Sequence, residues 1–404
     1  MSADAEIRWV PVREAGEVRM GKQLSPSSRE AAEQHPYLRV ANVYEGRIDL
    51  SDVKTMGFSS AEREAYGLRP GDILLNEGQE NLRMVGRSAI YTGEPGTFCF
   101  QNTLIRFRPG GEVLPEYAQA VFVRWRAQGV FASIAEKTSI SHLGGNRFGS
   151  LYFPLRSLSE QRRIIEVIDE VAAQERAIEA SIAKHQVARE ATAQQYLGAV
   201  GREILLEKAL VSLEVGVASV GPEAIPAAGE WGVIRLGAVT SGKFNSMQTK
   251  RLPDGIKSRP EYEIRNEDIL MVRVNGSVDL VGSVCVAENV PPRLMLSDLV
   301  FRLTPKADVF TGRYLSEVLT APLVRRRIVG RFRGTSGQFQ LPKSELRTLP
   351  VPFPGLEVQR EICRVLDGFD AVIAREAAEL VKTGRMKQAL VDKMLVGDGV
   401  TVRS

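Results

Sequence analysis

The sequence predicts an α+β fold of two tandem pseudo-symmetric units, each a β-rich globular domain followed by a long helix, with the two helices pairing as an antiparallel coiled coil. Three observations support this fold class. Similar segments recur 196 residues apart, short apolar runs lie between Gly, Pro and Asn residues, and two helical segments have heptad spacing. A long-range repeat indicates duplication, and the short runs are typical of β-strands. Heptad spacing favours a helix that needs a partner helix.

The duplication rests on several pairs of matching segments in the same order. The pairs GDILL and EDILM, VGRS and VGSV, and NTLIRFRP and DLVFRLTP are each separated by 196 residues. The helix openings SEQRRI and EVQREI are separated by 198 residues. WVPVREAGEVRMGK at Trp9 and WGVIRLGAVTSGK at Trp231 are predicted to be the matching starts of the two halves. An ordered series of matches indicates an internal repeat, whereas one short match would mean little.

These matches divide the chain into five predicted segments. Residues 1–152 and 231–352 are the two β-rich domains, residues 153–200 and 353–397 are the two long helices, and residues 201–230 are a linker. The linker prediction rests on the Gly-, Ala- and Pro-rich stretch between Gly216 and Gly229. Helical patches such as EYAQAVFVRWRAQG, which begins at Glu116, favour a mixed fold over an all-β one.

The predicted helices carry a narrow apolar stripe. The positions expected to mediate helix pairing are Ile164, Ile168, Val171, Ile178 and Ile182 in the first helix and Ile362, Leu366, Phe369, Ile373 and Leu380 in the second. Glu175 and Glu376 occupy gaps in these stripes. A heptad stripe needs a partner helix, and each helix would supply one to the other. The alternative is that each amphipathic helix covers its own domain.

The composition is typical of a globular protein in a reducing cytoplasm. No apolar run approaches the roughly 18 residues of a membrane span, and no secretory leader is apparent. The three cysteines form no CxxC pair, and the three histidines are scattered, which predicts neither disulfides nor a metal site. Residues 231–352 contain 19 Lys and Arg against 11 Asp and Glu, a net charge of +8, whereas residues 1–152 have 18 of each. The basic block favours a polyanionic partner.

Taken together, the segments resemble the specificity subunits of type I restriction-modification systems over nearly the whole chain. The resemblance is carried by YLRVANVYEGRIDL from Tyr37, the GDIL and EDIL strands, the VGR and VGS turns, and the segments FPLRSLSEQRRI and VPFPGLEVQREI. It implies two target-recognition domains that bind the two parts of a split double-stranded DNA sequence, with helices that fix the spacer. It further implies that the chain binds two methyltransferase (modification) subunits and, through them, restriction (motor and nuclease) subunits.

The residues predict a non-catalytic protein that uses no cofactor. The sequence has no Asn/Asp-Pro-Pro-aromatic methyltransferase site and no GxxxxGK[ST] phosphate loop, and NVPPRL from Asn289 lacks the aromatic residue. The carboxylates of EYEIRNED, from Glu261, are at strand spacing and are typical of a solvated strand face. One alternative is a scaffold that joins protein partners and binds nucleic acid weakly or not at all, which the neutral first domain favours. The others are a DNA-binding adaptor of another phage-defence system and an enzyme with an unfamiliar catalytic constellation, against which the shortage of His and of Asp/Glu clusters argues.

Candidate DNA contacts lie in polar loops, because Lys and Arg bind phosphates while Arg, Lys, Asn, Gln, Ser and Thr also bind base edges. In the first domain the predicted contacts are Lys22, Gln23, Asn81, Arg83, Lys137, Ser139 and Asn146. In the second they are Lys243, Asn245, Gln248, Lys250, Arg251, Arg325, Arg326, Arg331, Arg333, Thr335, Ser336, Gln338 and Gln340. A solvated helix end is the alternative for the arginine run, and His142 is expected either to contact a base or to cap a turn.

Overall fold

The chain forms two compact units of mixed helix and sheet. The computed structural model describes residues 7–79, 81–137, 141–218, 224–227, 229–253, 255–334 and 337–396. The first unit contains Met1–Ile178 and Glu379–Ser404, and the second contains Glu179–Ala378. Both units contain sheets and helices, so the predicted α+β class is confirmed.

The first unit is built on a four-stranded antiparallel sheet. Its strands, in spatial order, are Gly16–Met20, Leu104–Pro109, Ile73–Asn76 and Ser88–Ile90. Smaller sheets contain Cys99–Phe100, His35–Leu38 and Lys54–Met56; Glu136–Lys137, Ser141–His142 and Gly78–Gln79; Arg8–Pro11 and Tyr152–Leu155; and Val43–Tyr44 and Arg47–Ile48. The short helices are Val12–Ala15, Pro26–Arg29, Val40–Asn42, Ser60–Tyr66, Leu82–Met84, Pro115–Ala127, Val130–Ile134 and Gly145–Ser150.

The second unit repeats this arrangement. Its four-stranded antiparallel sheet contains, in spatial order, Leu210–Val215, Val300–Pro305, Ile269–Val272 and Val284–Val286. Smaller sheets contain Thr249–Arg251, Gly232–Ile234 and Leu294–Met295; Val274–Asn275 and Phe339–Gln340; and Glu203–Leu205 and Pro350–Pro352. The short helices are Leu206–Ala209, Leu236–Ala238, Pro260–Tyr262, Gly312–Thr320, Pro322–Val329 and Lys343–Arg347.

The second unit uses residues that the sequence assigned to a linker. Glu203–Leu205 pairs antiparallel with Pro350–Pro352, as Arg8–Pro11 pairs with Tyr152–Leu155 in the first unit. Leu210–Val215 then forms an edge of the four-stranded sheet. The linker prediction is therefore wrong for these residues, because their alternating apolar side chains are used by a sheet. The other predicted boundaries stay predictions.

The proposed match between the starts at Trp9 and Trp231 is also wrong. Trp231 precedes Gly232–Ile234, which pairs with one parallel and one antiparallel strand, as His35–Leu38 does. A short 3-10 turn follows each of these strands, and the two turns lie 196 residues apart. The shared Trp and Gly-Lys residues were too few to define the alignment, whereas the strand pairing does define it.

The repeated Asp-Ile-Leu segment caps a turn and then enters the core. Asp72 Oδ2 accepts a hydrogen bond from the Arg69 backbone N–H at 2.8 Å, and Asp268 Oδ2 accepts one from Arg265 at 2.9 Å. The apolar residues that follow each Asp form a fully buried strand within the four-stranded sheet. In the first unit, Arg108 adds two hydrogen bonds to Asp72, at 2.7 and 2.8 Å. The repeat thus marks a capped entry into the sheet.

A buried glutamine joins the start of each long helix to its domain. Gln161 and Gln359 are both 0% exposed. Each side-chain oxygen accepts a backbone N–H, from Leu114 at 2.8 Å and from Thr311 at 3.0 Å. Each side-chain amide donates to two carbonyls: for Gln161 those of Glu112 and Arg156, at 2.7 and 2.8 Å, and for Gln359 those of Val309 and Pro354, at 2.8 and 3.0 Å. These bonds explain why the glutamine recurs in both helix openings.

The two long helices, Leu158–Gly198 and Leu356–Val396, each have 41 residues and contribute to both units. In the first unit, Lys387 donates to Glu175 at 2.7 Å. Ile164 and Ile168 pack in the same core cluster as Leu395, near the end of the other helix. The start of one helix therefore meets the end of the other, which is antiparallel pairing.

The second unit shows the same antiparallel pairing through polar contacts. Ser181 donates to Glu376 at 2.8 Å, and Arg189 donates twice to Asp370, at 2.6 and 2.9 Å. Arg189 also donates to Glu317 at 2.6 Å. Although burial disfavours its charged form, these hydrogen bonds raise the pKa of Arg189. The glutamates that the sequence placed in the heptad gaps therefore take part in helix contacts.

The apolar side chains predicted to pair the two helices are all buried or half-buried, but some of them pack into the domains instead. Ile164, Ile362 and Leu366 lie in the domain cores, so the helix starts do cover their own domains. The remaining positions that the sequence assigned to the stripe are half-buried: Ile168, Val171, Ile178, Ile182, Phe369, Ile373 and Leu380. Their individual contributions to pairing stay a prediction.

We expect Gln161→Ala to lower the free energy of unfolding of the first unit by roughly 2–4 kcal/mol, because it leaves one buried N–H and two carbonyls without partners. Gln174→Ala, on an exposed turn of the same helix, should change it by no more than about 0.5 kcal/mol. Chemical denaturation measures both. Equal effects of the two substitutions would contradict the anchoring role.

Candidate nucleic-acid interface

In each unit a short polar β-ribbon continues from a strand of the four-stranded sheet. The first ribbon consists of Gly78–Gln79, Glu136–Lys137 and Ser141–His142, and the second of Val274–Asn275 and Phe339–Gln340. The first ribbon joins two stretches that contain predicted DNA contacts: residues 76–87, with Asn81 and Arg83, and residues 136–147, with Lys137 and Asn146. The second contains Gln340, one of the contacts predicted in residues 333–340. The second ribbon has two strands, and a two-stranded ribbon fits the major groove of B-form DNA.

The same backbone hydrogen bonds hold the base of each ribbon. At its centre is Glu77 in the first unit and Arg273 in the second, 196 residues apart. Each donates its N–H to the carbonyl of the residue just before the neighbouring strand of the four-stranded sheet, Glu77 to Thr103 at 3.0 Å and Arg273 to Leu299 at 2.8 Å. Each carbonyl accepts one N–H, from Leu143 at 2.8 Å and from Leu341 at 2.9 Å. The two positions are therefore structurally equivalent, although their charges are opposite.

In the first ribbon, buried Glu77 holds His142. The carboxylate lies 2.9 Å from His142 Nδ1, and its other oxygen accepts the Gly144 N–H at 3.3 Å. Arg147 donates to the carbonyl oxygens of His142 and Leu143, at 2.9 and 3.0 Å. The His142 side chain is nevertheless 44% exposed. It is thus a positioned imidazole that remains accessible on the ribbon.

In the second ribbon, Arg273 lies at a groove that it lines together with Arg333, Gln338 and Gln340. Its guanidinium donates to the Asp298 carbonyl at 3.0 Å and lies 5.9 Å from the centre of the Phe301 ring. Arg333 is exposed and pairs with Glu345 at 2.7 Å. The groove therefore presents guanidinium and amide groups, which bind phosphates and base edges.

The predicted arginine run has both structural and accessible members. Arg325 donates to the carbonyl of Asp279 at 2.8 Å and to that of Val281, and burial lowers its pKa. Arg331 donates to the Arg327 carbonyl at 2.9 Å. Arg326 is exposed and makes no ion pair among the residues that the structure describes. Within the run, Arg326 is thus the better candidate for a phosphate contact.

Lys22 is held within the first unit. Its ammonium donates to the Gly57 carbonyl at 2.8 Å and to Glu62 at 2.7 Å, and it lies 5.0 Å from the centre of the Phe58 ring. The hydrogen bond from Lys22 and that from the Ser59 backbone lower the pKa of Glu62. These contacts favour a structural role for Lys22. Its DNA contact stays a prediction.

The other predicted contacts have varied settings. Those with exposed side chains are Gln23, Asn146, Lys243, Asn245 and Gln248. Lys250 and Arg251 are half-buried on a strand, and Arg251 pairs with Glu230 at 3.3 Å. Asn81 has an interaction partner, Arg83 lies in the Leu82–Met84 turn, and Lys137 lies on the first ribbon. Ser139, Thr335 and Ser336 lie outside the described residues.

Sequence reasoning missed an aromatic-basic cluster in the first unit. Tyr44 is 40% exposed on the Val43–Tyr44 hairpin. The guanidinium carbons of Arg47 and Arg87 lie 4.9 and 5.8 Å from the centre of its ring. Arg47 lies 196 residues before the predicted contact Lys243, so the repeat offset could have identified it. Exposed aromatic and arginine side chains suit contact with nucleic acid.

The described residues offer little sign of other site types. They contain no group of three or more His, Cys, Asp or Glu side chains that could hold a metal ion. None of the described helices is long and apolar enough to span a membrane.

The strands at residues 203–215 change the charge of the second domain. With residues 203–230 added to 231–352, the second domain has 20 Lys and Arg against 16 Asp and Glu, a net charge of +4. The charge contrast between the domains is thus smaller than the sequence boundaries suggested.

Comparison with known proteins connects this two-unit fold to one class. No protein-family model matches the chain. The chain is 21% identical over 398 residues to the StySPI specificity subunit of Salmonella potsdam, a match that covers 90% of this chain and 82% of that one. It is 20% identical over 390 residues to the EcoKI specificity subunit of Escherichia coli K12, with the same coverage. The EcoEI specificity subunit of Escherichia coli is 26% identical over 174 residues, 43% of this chain and 29% of the relative's length.

Solved structures show the same fold. The HsdS subunit of Thermoanaerobacter tengcongensis superposes with a TM-score of 0.51 at 18% identity over 98% of each chain. A chain from a structure of a type I restriction-modification system superposes with a TM-score of 0.62 at 18% identity, over 97% of this chain and 98% of that one. The resemblance to type I specificity subunits that the sequence motifs indicated is therefore confirmed.

The adjacent residues Arg325 and Arg326 allow a matched test of the arginine run. We expect Arg325→Ala to lower the free energy of unfolding by about 1.5–3 kcal/mol, because two backbone carbonyls lose a charged donor. Arg326→Ala should change it by no more than about 0.5 kcal/mol. Chemical denaturation compares the two, and a larger loss for Arg326→Ala would contradict these roles.

Proposed function

We propose that the chain is the non-catalytic DNA sequence-recognition subunit of a type I restriction-modification complex. It binds a bipartite double-stranded target through two target-recognition domains, one in each unit. It also binds two methyltransferase subunits and, through them, the restriction subunits, in the cytoplasm. The similarity along 90% of the chain to proteins named as specificity subunits supports this proposal.

The observation that carries the proposal is the presence of two equivalent polar ribbons. Each ribbon has the same backbone hydrogen bonds at its base. The first presents the accessible His142, and the second lies at a groove lined by Arg273, Arg333 and Gln340. Arginine and glutamine are among the side chains that bind base edges. A target in two separated parts requires two recognition surfaces, which an internal duplication supplies. The different side chains on the two ribbons allow the two parts of the target to differ in sequence.

The long helices support the proposed recruitment of other subunits. Both expose large apolar side chains, with Val187 67%, Val381 56% and Met386 60% exposed. Met386 and Leu390, which is 37% exposed, are four residues apart and so lie on one helix face. The pair formed by Met386 and Leu390 is an exposed apolar face that suits contact with another protein.

Modified-base sequencing of the native genome, with the gene intact and with it deleted, tests the proposal. We expect methylation to disappear at one split, asymmetric motif when the gene is deleted, and to return when the gene is restored. If no methylated motif depends on the gene, the chain does not direct methylation. The better assignment would then be a scaffold, which the neutral first domain favours, or a DNA-binding adaptor of another phage-defence system.

Salt dependence tests the phosphate contact of Arg326. We expect Arg326→Ala to weaken binding to all duplexes similarly and to reduce the slope of log K against log salt by about 0.9, the value for one lost phosphate contact. Binding titrations of the full chain at several salt concentrations measure this slope. Arg364→Ala is the matched control, because Arg364 is paired with Glu361 on the second long helix and should leave the slope unchanged. An unchanged slope for Arg326→Ala would show that Arg326 does not contact a phosphate.

A further inference from the structure

The two ribbons differ most at the equivalent positions Glu77 and Arg273. Their backbones make matching hydrogen bonds, as described above, so the ribbons start from the same frame. One position carries a buried carboxylate that holds an imidazole, whereas the other carries a guanidinium at a polar groove. Opposite charges at equivalent positions of the two units change which hydrogen-bonding groups each ribbon offers.

The Arg273 guanidinium is held through Nη1, and its Nη2 makes no hydrogen bond within the described residues. Its Nη1 donates to the Asp298 carbonyl at 3.0 Å, and the Phe301 ring lies 5.9 Å from its central carbon. Its Nε is buried and finds no acceptor among the described residues. A guanidinium is a planar fork of donors, and a fixed fork matches a pair of acceptors with defined spacing. Guanine presents such a pair, O6 and N7, in the major groove.

Neighbouring side chains make this groove suitable for a base edge. The side-chain amides of Gln338 and Gln340 line it and have no hydrogen-bond partner within the described parts of the chain. Arg333, at the groove, is 70% exposed and paired with Glu345. The more exposed Arg333 is suited to the backbone phosphates, and the anchored Arg273 to a base.

The first ribbon presents an imidazole where the second has a guanidinium. The Glu77 carboxylate lies 2.9 Å from His142 Nδ1. In the imidazole tautomer that carries its one proton on Nδ1, this nitrogen donates to the carboxylate and Nε2 is an acceptor. In the major groove, the amino groups of adenine and cytosine are the donors available to such an acceptor. The side chain is accessible enough for this contact, being 44% exposed.

We propose that the Glu77/Arg273 exchange makes the two ribbons recognise different bases: Arg273 binds the O6 and N7 acceptors of a guanine in one part of the target, and His142, held by Glu77, accepts from the amino group of an adenine or cytosine in the other. This inference rests on the proposed function, because it assigns base specificity to surfaces that the proposed function places on DNA.

Selection from a duplex library with two randomised half-sites tests the inference, using the full chain. Wild type should enrich a guanine in one half-site and an adenine or cytosine in the other. Arg273→Met should reduce the guanine preference roughly tenfold to hundredfold and leave the other half-site unchanged. The unchanged half-site would show that the variant is folded. His142→Phe is the reciprocal control and should relax only the other half-site.

Arg273→Lys separates a base contact from a phosphate contact. It keeps the positive charge but not the planar fork, so it should lose most of the guanine preference. If Arg273→Met weakens binding to all library members equally and Arg273→Lys restores it, Arg273 binds phosphate and the inference is wrong. An unchanged guanine preference in Arg273→Met also overturns it. If wild type enriches no motif, the proposed function fails together with the inference, whereas an enriched motif insensitive to Arg273 and His142 defeats the inference alone.

Discussion

The buried glutamine at the start of each long helix is the constraint on which the arrangement of each unit depends. Gln161 and Gln359 use their whole amide to satisfy one N–H and two carbonyls of loop and helix-start backbone. A buried amide is stable only when its donors and acceptor are satisfied together. Satisfying them fixes the rotation of the helix relative to the loop it contacts. Each domain is therefore attached to its helix in one orientation.

Polar contacts between the two long helices fix how the helices align along their length. Apolar packing alone does not fix this alignment. Isoleucine and leucine side chains tolerate small shifts along a helix, but an ion pair or hydrogen bond does not form out of register. Glu175 pairs with Lys387 in the first unit, and Glu376 accepts from Ser181 in the second. Charged residues in an apolar stripe cost stability and specify one alignment, as polar residues do in coiled coils. The heptad gaps are thus functional parts of the pairing pattern.

The sequence predicted the class of fold because strand and helix patterns are local. The Asp-Ile-Leu repeat, with its capping Asp and buried strand, was visible as a motif, and so were the glutamine-containing helix openings. The first strand of the second unit was not predicted, because Glu203–Leu205 is short and its strand partner among the described residues, Pro350–Pro352, lies about 147 residues later. Composition drew attention to the Gly- and Pro-rich stretch instead. Strand pairing across such a distance leaves no local signal.

The candidate DNA contacts also depend on long-range contacts that the local sequence does not show. Residue type correctly indicated which loops are polar, but it could not show which charges are already engaged. Arg325 and Lys22 are of the right chemical type, yet their donors are occupied by backbone carbonyls and Glu62. Arg273 went unnoticed because it follows an apolar strand, and Glu77 because a carboxylate is not expected to face DNA. Their importance becomes visible only when the equivalent positions of the two units are compared.

Duplication explains why these positions matter. Two copies of one frame keep the backbone bonds that hold the ribbon, since losing them would leave buried polar groups unsatisfied. The side chains at the ribbon base are free of that constraint, so they can differ between copies. Here the difference is a full reversal of charge on one geometry, from Glu77 to Arg273. A fold that holds its frame constant while varying the groups on the frame is suited to recognising two unlike sequences with a single architecture.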